Sequence, residues 1–512
     1  MQKTAATSSV LLLILVSGQI FAENKRLANE KPNIIVIMCD QLKATASHLY
    51  GNSFCKTPNL GRMADEGTLF ENAYTPHPLC VPARVSLWTA QYPHTHGSRR
   101  NQTLMPPDAA HAFKQWKALG YKNALIGKNH CFRTPKDLSL FDVWCETVHH
   151  GPVKRPPRGM DWVADPANAI EAYATTVKNM NQSPRFGYAI TEYPATYYST
   201  GLLTAQALQF LAENKEQPFA LWLSYPDPHE PYIAPKRYVD MIPEDVPLPS
   251  RRPGEFAGKE VPERSRVLYE ILGMDDDREE HIRNQLRVYH ANLKFIDDGV
   301  GRILDALDTQ GLRDNTIVVF TSDHGDFAGE HNMTCKGGLF YDCLTRVPLI
   351  LSGPGIPKGI RDQSMANLVD IVPTLYRLVG IDIPRTMTGK PLPTITDEPP
   401  RTATFSEYGC GGPPFTMGDL ARFGQTSGRK ALVRSLNWRE AEGRAKMVCT
   451  RQWKYVYAPA NGADELYNRQ NDPAEQTNLV SDPAYKSVVF DLRTKLLAWC
   501  IATEDAKPVP LP

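Results

Sequence analysis

Four short apolar runs, each stopping abruptly at polar residues, set the rhythm of the chain. "NIIVIM" (Asn33 to Met38) ends at "CDQ", and "NALIG" (Asn123 to Gly127) ends at "KNH". "PFALWLSY" (Pro218 to Tyr225) is followed by "PDPHEPY", and "TIVVFTS" (Thr316 to Ser322) runs into "DHGD". Unbroken apolarity over so few residues predicts strands covered on both faces. Between the last two, Leu286, Tyr289, Leu293, Ile296, Val300, Ile303 and Leu307 recur at alternating steps of three and four. That spacing predicts a helix with one core-facing stripe, and Gly311 is placed to end it. Buried strands alternating with helices imply an α/β fold with a largely parallel sheet covered on both sides.

The Pro- and charge-rich stretch from Met241 to Arg264 reads as a surface loop, and "DEPPRTATF" (Asp397 to Phe405) as a second break. Beyond it, "QWKYVY", "DELYNRQNDPAEQTNL" and a closing amphipathic stretch predict a smaller C-terminal α+β unit. At 512 residues the chain exceeds one ordinary core. The expected division is a catalytic domain over 31–395 and a C-terminal subdomain over 396–512.

Charge and composition narrow the partners. Lys and Arg number 57 against 56 Asp and Glu, with no basic stripe, so a nucleic-acid partner is not expected. Residues 1–22 combine a short basic start, an apolar run from Val10 to Val16 and small residues up to Ala22. The run is too short to span a bilayer, so it reads as a cleaved signal peptide. No other segment approaches a membrane span, and the expectation is an exported protein, periplasmic or secreted, without a membrane partner. The ten cysteines are scattered, without a CxxC pair. A few bridges are expected, but not a disulfide-built scaffold.

The strand ends hold the candidate chemistry. Asp40 and Gln41 follow the first run, Lys128 and His130 the second, His229 the third, and Asp323 and His324 the fourth. Taken singly, such an Asp is more often a helix N-cap or turn residue, and such a His a hydrogen-bonded structural residue. In a parallel sheet, however, all C-terminal strand ends share one edge, where ligands bind. Asp40, Gln41, Asp323 and His324 suit a hard or intermediate divalent cation. Lys128, Lys336, Arg84 and the histidines supply charge and protons for an anionic tetrahedral group. Together they point to metal-assisted hydrolysis of a charged ester. Cys80, in "PLCVPAR", lies in a stretch too broken by proline to be a helix interior.

Cys80, Pro82 and Arg84 form Cys-x-Pro-x-Arg, which resembles the signature of the type I sulfatases of the alkaline phosphatase superfamily. "PNIIVIMCDQ", "YPHTHG", "GKNH", "HEPY", "TSDHGD" and "CKGG" stand in that family's order, so the likeness covers roughly residues 31 to 485. The resemblance implies an alkaline phosphatase-like fold, with a large mixed, mostly parallel sheet sandwiched by helices. It implies that a maturation enzyme oxidises Cys80 to formylglycine (3-oxoalanine), whose hydrated aldehyde is the nucleophile. The hydrate's second hydroxyl would let the sulfated adduct collapse and expel sulfate, which a serine could not do. Arg84 would hold that residue, and Asp40, Gln41, Asp323 and His324 would bind the metal with the oxygen of residue 80. Lys128 and Lys336 would grip the sulfate, His130 would assist the hydroxyl, and His229 would serve the leaving oxygen.

The metal implied is calcium, with manganese or zinc as alternatives, and the substrate is a sulfate ester, expected to be a carbohydrate sulfate. Two positions depart from the pattern. Many sulfatases have Asp-Asp where this chain has Asp40–Gln41, and Asn where it has His324. Asp-Gln resembles a branch containing phosphonate monoester hydrolases and phosphodiesterases, which gives the alternative activity. A non-catalytic binding protein would have lost a ligand or signature residue, and every such position is filled. The stretches His149–His150, Tyr193–Tyr198, Arg251–Arg266 and Gly409–Arg422 are candidate pocket walls.

Overall fold

A computed structural model describes residues 31–148, 156–180, 187–258, 261–273, 279–413, 416–421, 443–461 and 464–504. Its strands are β1 (Asn33–Cys39), β2 (Gly67–Tyr74), β3 (Lys122–Lys128), β4 (Val143–Thr147), β5 (Tyr188–Thr191), β6 (Phe219–Ser224), β7 (Tyr232–Pro235), β8 (Thr316–Ser322), β9 (Leu349–Ser352), β10 (Ile360–Asn367), β11 (Thr404–Tyr408), β12 (Ala445–Cys449), β13 (Trp453–Tyr457) and β14 (Glu465–Asn468). The main sheet has the order β10-β2-β9-β8-β1-β6-β3-β4. β9 runs antiparallel to both its neighbours, and every other pairing is parallel. The four runs legible in the sequence are β1, β3, β6 and β8, which lie side by side at its centre.

β1 shows why such runs are apolar throughout. Successive side chains of a strand point to opposite faces. Ile35, Ile37 and Cys39 enter one core together with all seven stripe residues of the helix Glu279–Thr309. Ile34, Val36 and Met38 enter the other, with Val85, Trp88, Trp222 and Leu375. Gly311 turns the chain after the long helix at φ +67°, a left-handed conformation that glycine adopts without strain.

Other elements escaped the apolar pattern. β10 carries Arg361, Asp362 and Gln363 because it is an edge strand. β2 is interrupted by Glu71 and Asn72. The expected surface loop Met241–Arg264 is only partly one: Ile242 and Val246 are buried, and Arg264 lies in the first turn of the helix Glu263–Leu272 and pairs in the interior with Glu465. All ten cysteines are unbridged, so the expected few disulfides do not form. The residues read as an export signal lie outside the described residues. Among the described residues, no helix is long and apolar enough to cross a membrane.

The smaller unit is an antiparallel sheet, β11-β12-β13-β14, against which the helix Lys486–Glu504 lays Leu492, Leu496 and Trp499. A buried ionic cluster fastens this sheet to the main body. Lys454 of β13 meets Asp342 and Glu475 at 2.6 Å each, and Asp342 also accepts from Arg469 at 2.9 Å. Lys454→Met leaves two interior carboxylates with less compensation and is expected to cost about 3–5 kcal/mol. Urea denaturation measures it; a loss below about 1 kcal/mol would show that apolar packing alone holds the junction.

Candidate active site

The signature segment is a helix, contrary to the expectation from its prolines. Cys80–Thr89 is α-helical, with Cys80 its first residue. Pro82 lies in the first turn, where a helix has no use for the missing N–H. Arg84 follows Cys80 by four residues, about one helical turn, so both project from the same face. Cys80 also lies at the positive end of the helix dipole, which favours negative charge there. The Val81 N–H is capped by Asn101 Oδ1 at 3.1 Å.

That face meets the C-terminal edges of β8, β1, β6 and β3, four adjacent strands. Arg84 is completely buried and binds all four: Nε donates to Asp323 Oδ2 at 2.8 Å, Nη2 to Asp40 Oδ2 at 2.8 Å, and Nη1 to Ser224 Oγ at 2.9 Å and the Lys128 carbonyl at 3.0 Å. Its guanidinium lies 5.8 Å from the centre of the Trp222 ring. Lys128 Nζ also bonds Asp40 Oδ2 and stands 3.8 Å from Cys80 Sγ. Burial alone would raise the Asp40 carboxyl, but Lys128 and Arg84 outweigh it and hold it well below the usual carboxylate range.

Asp40, Cys80, Asp323 and His324 bring one ligand atom each to within 4.8 Å of one another. A cation 2.3–2.6 Å from each ligand keeps the ligands within about 5 Å, so the set fits a divalent ion. The orientation of His324 agrees. Its Nδ1 lies 2.9 Å from the Gly325 carbonyl, which makes it the donor and leaves the Nε2 lone pair facing Cys80 Sγ at 3.1 Å. Burial lowers the His324 pKa, keeping the ring neutral, as a ligand must be. Burial, followed by the Asp40 charge, pushes the Cys80 thiol up to about 12.

The remaining expected residues surround this set. Gln41, at φ +68°, directs Nε2 to Glu230 Oε2 at 2.8 Å and to Asp326 Oδ2 at 2.5 Å, while its Oε1 accepts from Lys336. Lys336 Nζ lies 2.6 Å from His229 Nε2. His229 Nδ1 faces the Glu230 carbonyl at 2.7 Å, so Nδ1 carries the hydrogen and Nε2 accepts from the lysine. His130 sits just past β3 at φ +47°; burial, then Lys128 and Arg84, depress its pKa well below the usual value.

All ten expected residues therefore gather at one edge. Glu230, Asp326 and Ser224 were not singled out, although the first two lie inside the quoted "HEPY" and "DHGD". Their signal was their position in those motifs, which carries no hint of a partner. Of the expected pocket walls, Tyr193, Tyr197 and Tyr198 line a cavity with Tyr173 and Asp227, and Arg251, Arg252 and Phe256 line another. His149–His150 and parts of Gly409–Arg422 lie outside the described residues.

Known proteins resemble this chain in sequence and in fold. The chain is 28% identical over 487 residues to an arylsulfatase of Clostridium perfringens, covering 91% of this chain and 94% of that one. It is 29% identical over 466 residues to a choline-sulfatase of Rhizobium meliloti (88% and 83%). It is 28% identical over 479 residues to an ulvan-active sulfatase of Formosa agariphila (91% and 80%). Among solved structures, the phosphonate monoester hydrolase of Agrobacterium radiobacter superposes with a TM-score of 0.72 at 23% identity, covering 92% of this chain and 96% of that one, a likeness of fold. The sulfatase family model matches residues 32–381, most of the catalytic body, and the chain belongs to the sulfatase family of sulfuric ester hydrolases.

Proposed function

We propose that the enzyme is an exported, formylglycine-dependent sulfatase that removes sulfate from a carbohydrate. The observation that carries this reading is the meeting of Cys80 with two carboxylates, a neutral imidazole and the ammonium of Lys128, sealed from solvent at a helix N-terminus. Formylglycine made from Cys80 by a maturation enzyme supplies the nucleophilic hydroxyl. A divalent cation, calcium in this reading with manganese or zinc as alternatives, supplies positive charge beside it.

The chain's own groups do the rest. Asp40, Gln41, Asp323 and His324 hold the cation. Arg84 fixes the two carboxylates by directed N–H bonds and, after Lys128, helps hold Asp40 ionised. Lys128 and Lys336 offer ammonium hydrogens to the sulfate oxygens, placing charge where it builds as the S–O bond breaks. His130 hydrogen-bonds the hydroxyl of residue 80. His229, oriented through Nδ1–H on the Glu230 carbonyl, donates to the leaving oxygen from Nε2 once that nitrogen carries a proton, which the Lys336 ammonium beside it supplies. The ulvan-active relative supports a carbohydrate substrate, and the signal-like residues 1–22 support export.

A second reading, phosphonate monoester or phosphodiester hydrolysis by the same nucleophile, draws on Asp40–Gln41, on His324 and on the phosphonate hydrolase neighbour. A panel separates the two: an aryl sulfate, choline sulfate and defined sulfated sugars against a phenylphosphonate monoester and a phosphodiester. The sulfatase reading expects the highest kcat/KM on a sulfate ester, greatest among the sugars. Faster turnover of the phosphonate or phosphodiester would replace it.

A further inference from the structure

We infer that Glu230 and Asp326 are positioning residues that fix which end of the Gln41 side chain faces the cation cluster. The inference rests on the proposed cation site. A primary amide has a donor end and an acceptor end of nearly equal size, and only its partners decide which way it lies. Here Nε2 is gripped by two carboxylate oxygens, Glu230 Oε2 at 2.8 Å and Asp326 Oδ2 at 2.5 Å. With both carboxylate oxygens accepting from Nε2, Oε1 faces the opposite way.

Asp326 is itself held: Tyr232 Oη donates to Oδ2 at 2.6 Å, and the Ala328 N–H to Oδ1 at 2.7 Å. The Gln41 backbone is equally fixed. Its N–H donates to Asp323 Oδ1 at 3.0 Å, and its carbonyl accepts from Tyr289 Oη at 2.9 Å. The amide oxygen is thereby set on the Lys336 side, turned away from the two acids.

The same geometry explains why glutamine stands after Asp40. An acid at 41 would set a third carboxylate against Glu230 and Asp326 and remove the N–H donor that both accept from. Glu230 and Asp326 thus demand a neutral donor at this position, and the departure from Asp-Asp is a consequence of the layer behind it.

The test is a calorimetric titration of Ca2+ and Mn2+ into full-length, chelator-treated enzyme at mildly alkaline pH. By charge alone, Gln41→Glu should tighten cation binding. If Glu230 and Asp326 set the orientation, it weakens binding on the order of 10–100-fold instead. Glu230→Gln or Asp326→Asn added to Gln41→Glu then restores affinity, because a donor again stands opposite the new carboxylate. Gln41→Glu binding as tightly as the unaltered enzyme overturns the inference while leaving the cation site standing. If Gln41→Glu does not fold, Glu230→Gln/Asp326→Asn is titrated alone, and unchanged affinity in that folded variant overturns it as well. An unaltered enzyme that takes up neither ion overturns the cation-site reading and this inference with it.

Discussion

Cys80→Ala is expected to abolish turnover while leaving the protein folded. The residue is buried with its sulfur 3.1 Å from His324 Nε2 and 3.6 Å from Asp40 Oδ1, so it holds the centre of the site while contributing little packing volume. Removing one sulfur from a packed position costs about 1 kcal/mol. Removing the nucleophile of a covalent mechanism costs about 10⁴-fold or more in kcat. The two effects separate cleanly in a thermal scan run beside an aryl sulfate assay. Cys80→Ser sharpens the result. A serine has a single hydroxyl, so any sulfate it takes up stays as a stable ester, and the most it can give is one product per enzyme. In the unaltered protein made together with a maturation enzyme, mass analysis of the peptide spanning residue 80 should find an aldehyde in place of the thiol. Full activity with an intact thiol, or turnover by Cys80→Ala within about tenfold of the parent, would end the formylglycine reading.

The sheet centre was legible because its strands are buried on both faces and therefore apolar without interruption, as β1 and β8 are. The edge was not: β10 pairs on one side only, so Arg361 and Gln363 are tolerated there. Strand order also stayed hidden, since β1 pairs with residues near 220 and near 320 that local pattern cannot connect. The ten candidate residues were found because each follows a strand or sits in a quoted motif. What joins them was missed for two reasons. Pro82 looked like a helix breaker, although in a first turn it is harmless, and only the helix explains why Cys80 and Arg84 are four residues apart. Glu230 and Asp326 act through Gln41, and a residue that acts on another side chain leaves no periodic trace in sequence.

Arg84→Met is expected to be the most destabilising single change in the site. The guanidinium donates to both Asp40 and Asp323, and its removal leaves Lys128 beside Asp40 but takes from Asp323 the bond that Arg84 Nε supplies. Breaking a buried ion pair from one side costs about 3–5 kcal/mol, because the remaining charge stays desolvated. Arg84→Lys should recover only part of this, since a single ammonium cannot reproduce four directed N–H bonds. The pH dependence has a definite sign. With Lys128 and Arg84 present, the Asp40 carboxyl is depressed, so its contribution to stability is present at neutral pH and is lost as pH falls through its folded pKa. Without Arg84 the folded pKa of Asp40 rises, and the Arg84→Met variant gains relative stability as Asp40 takes up its proton. The gap between parent and variant, measured by urea denaturation, should therefore be widest at neutral pH and narrow toward pH about 4. A divalent cation in excess should narrow it too, because a bound ion stabilises the folded state by mass action and supplies charge between the same two carboxylates. A gap under about 1 kcal/mol at neutral pH, or one that widens on acidification, would mean that Arg84 does not balance these two acids.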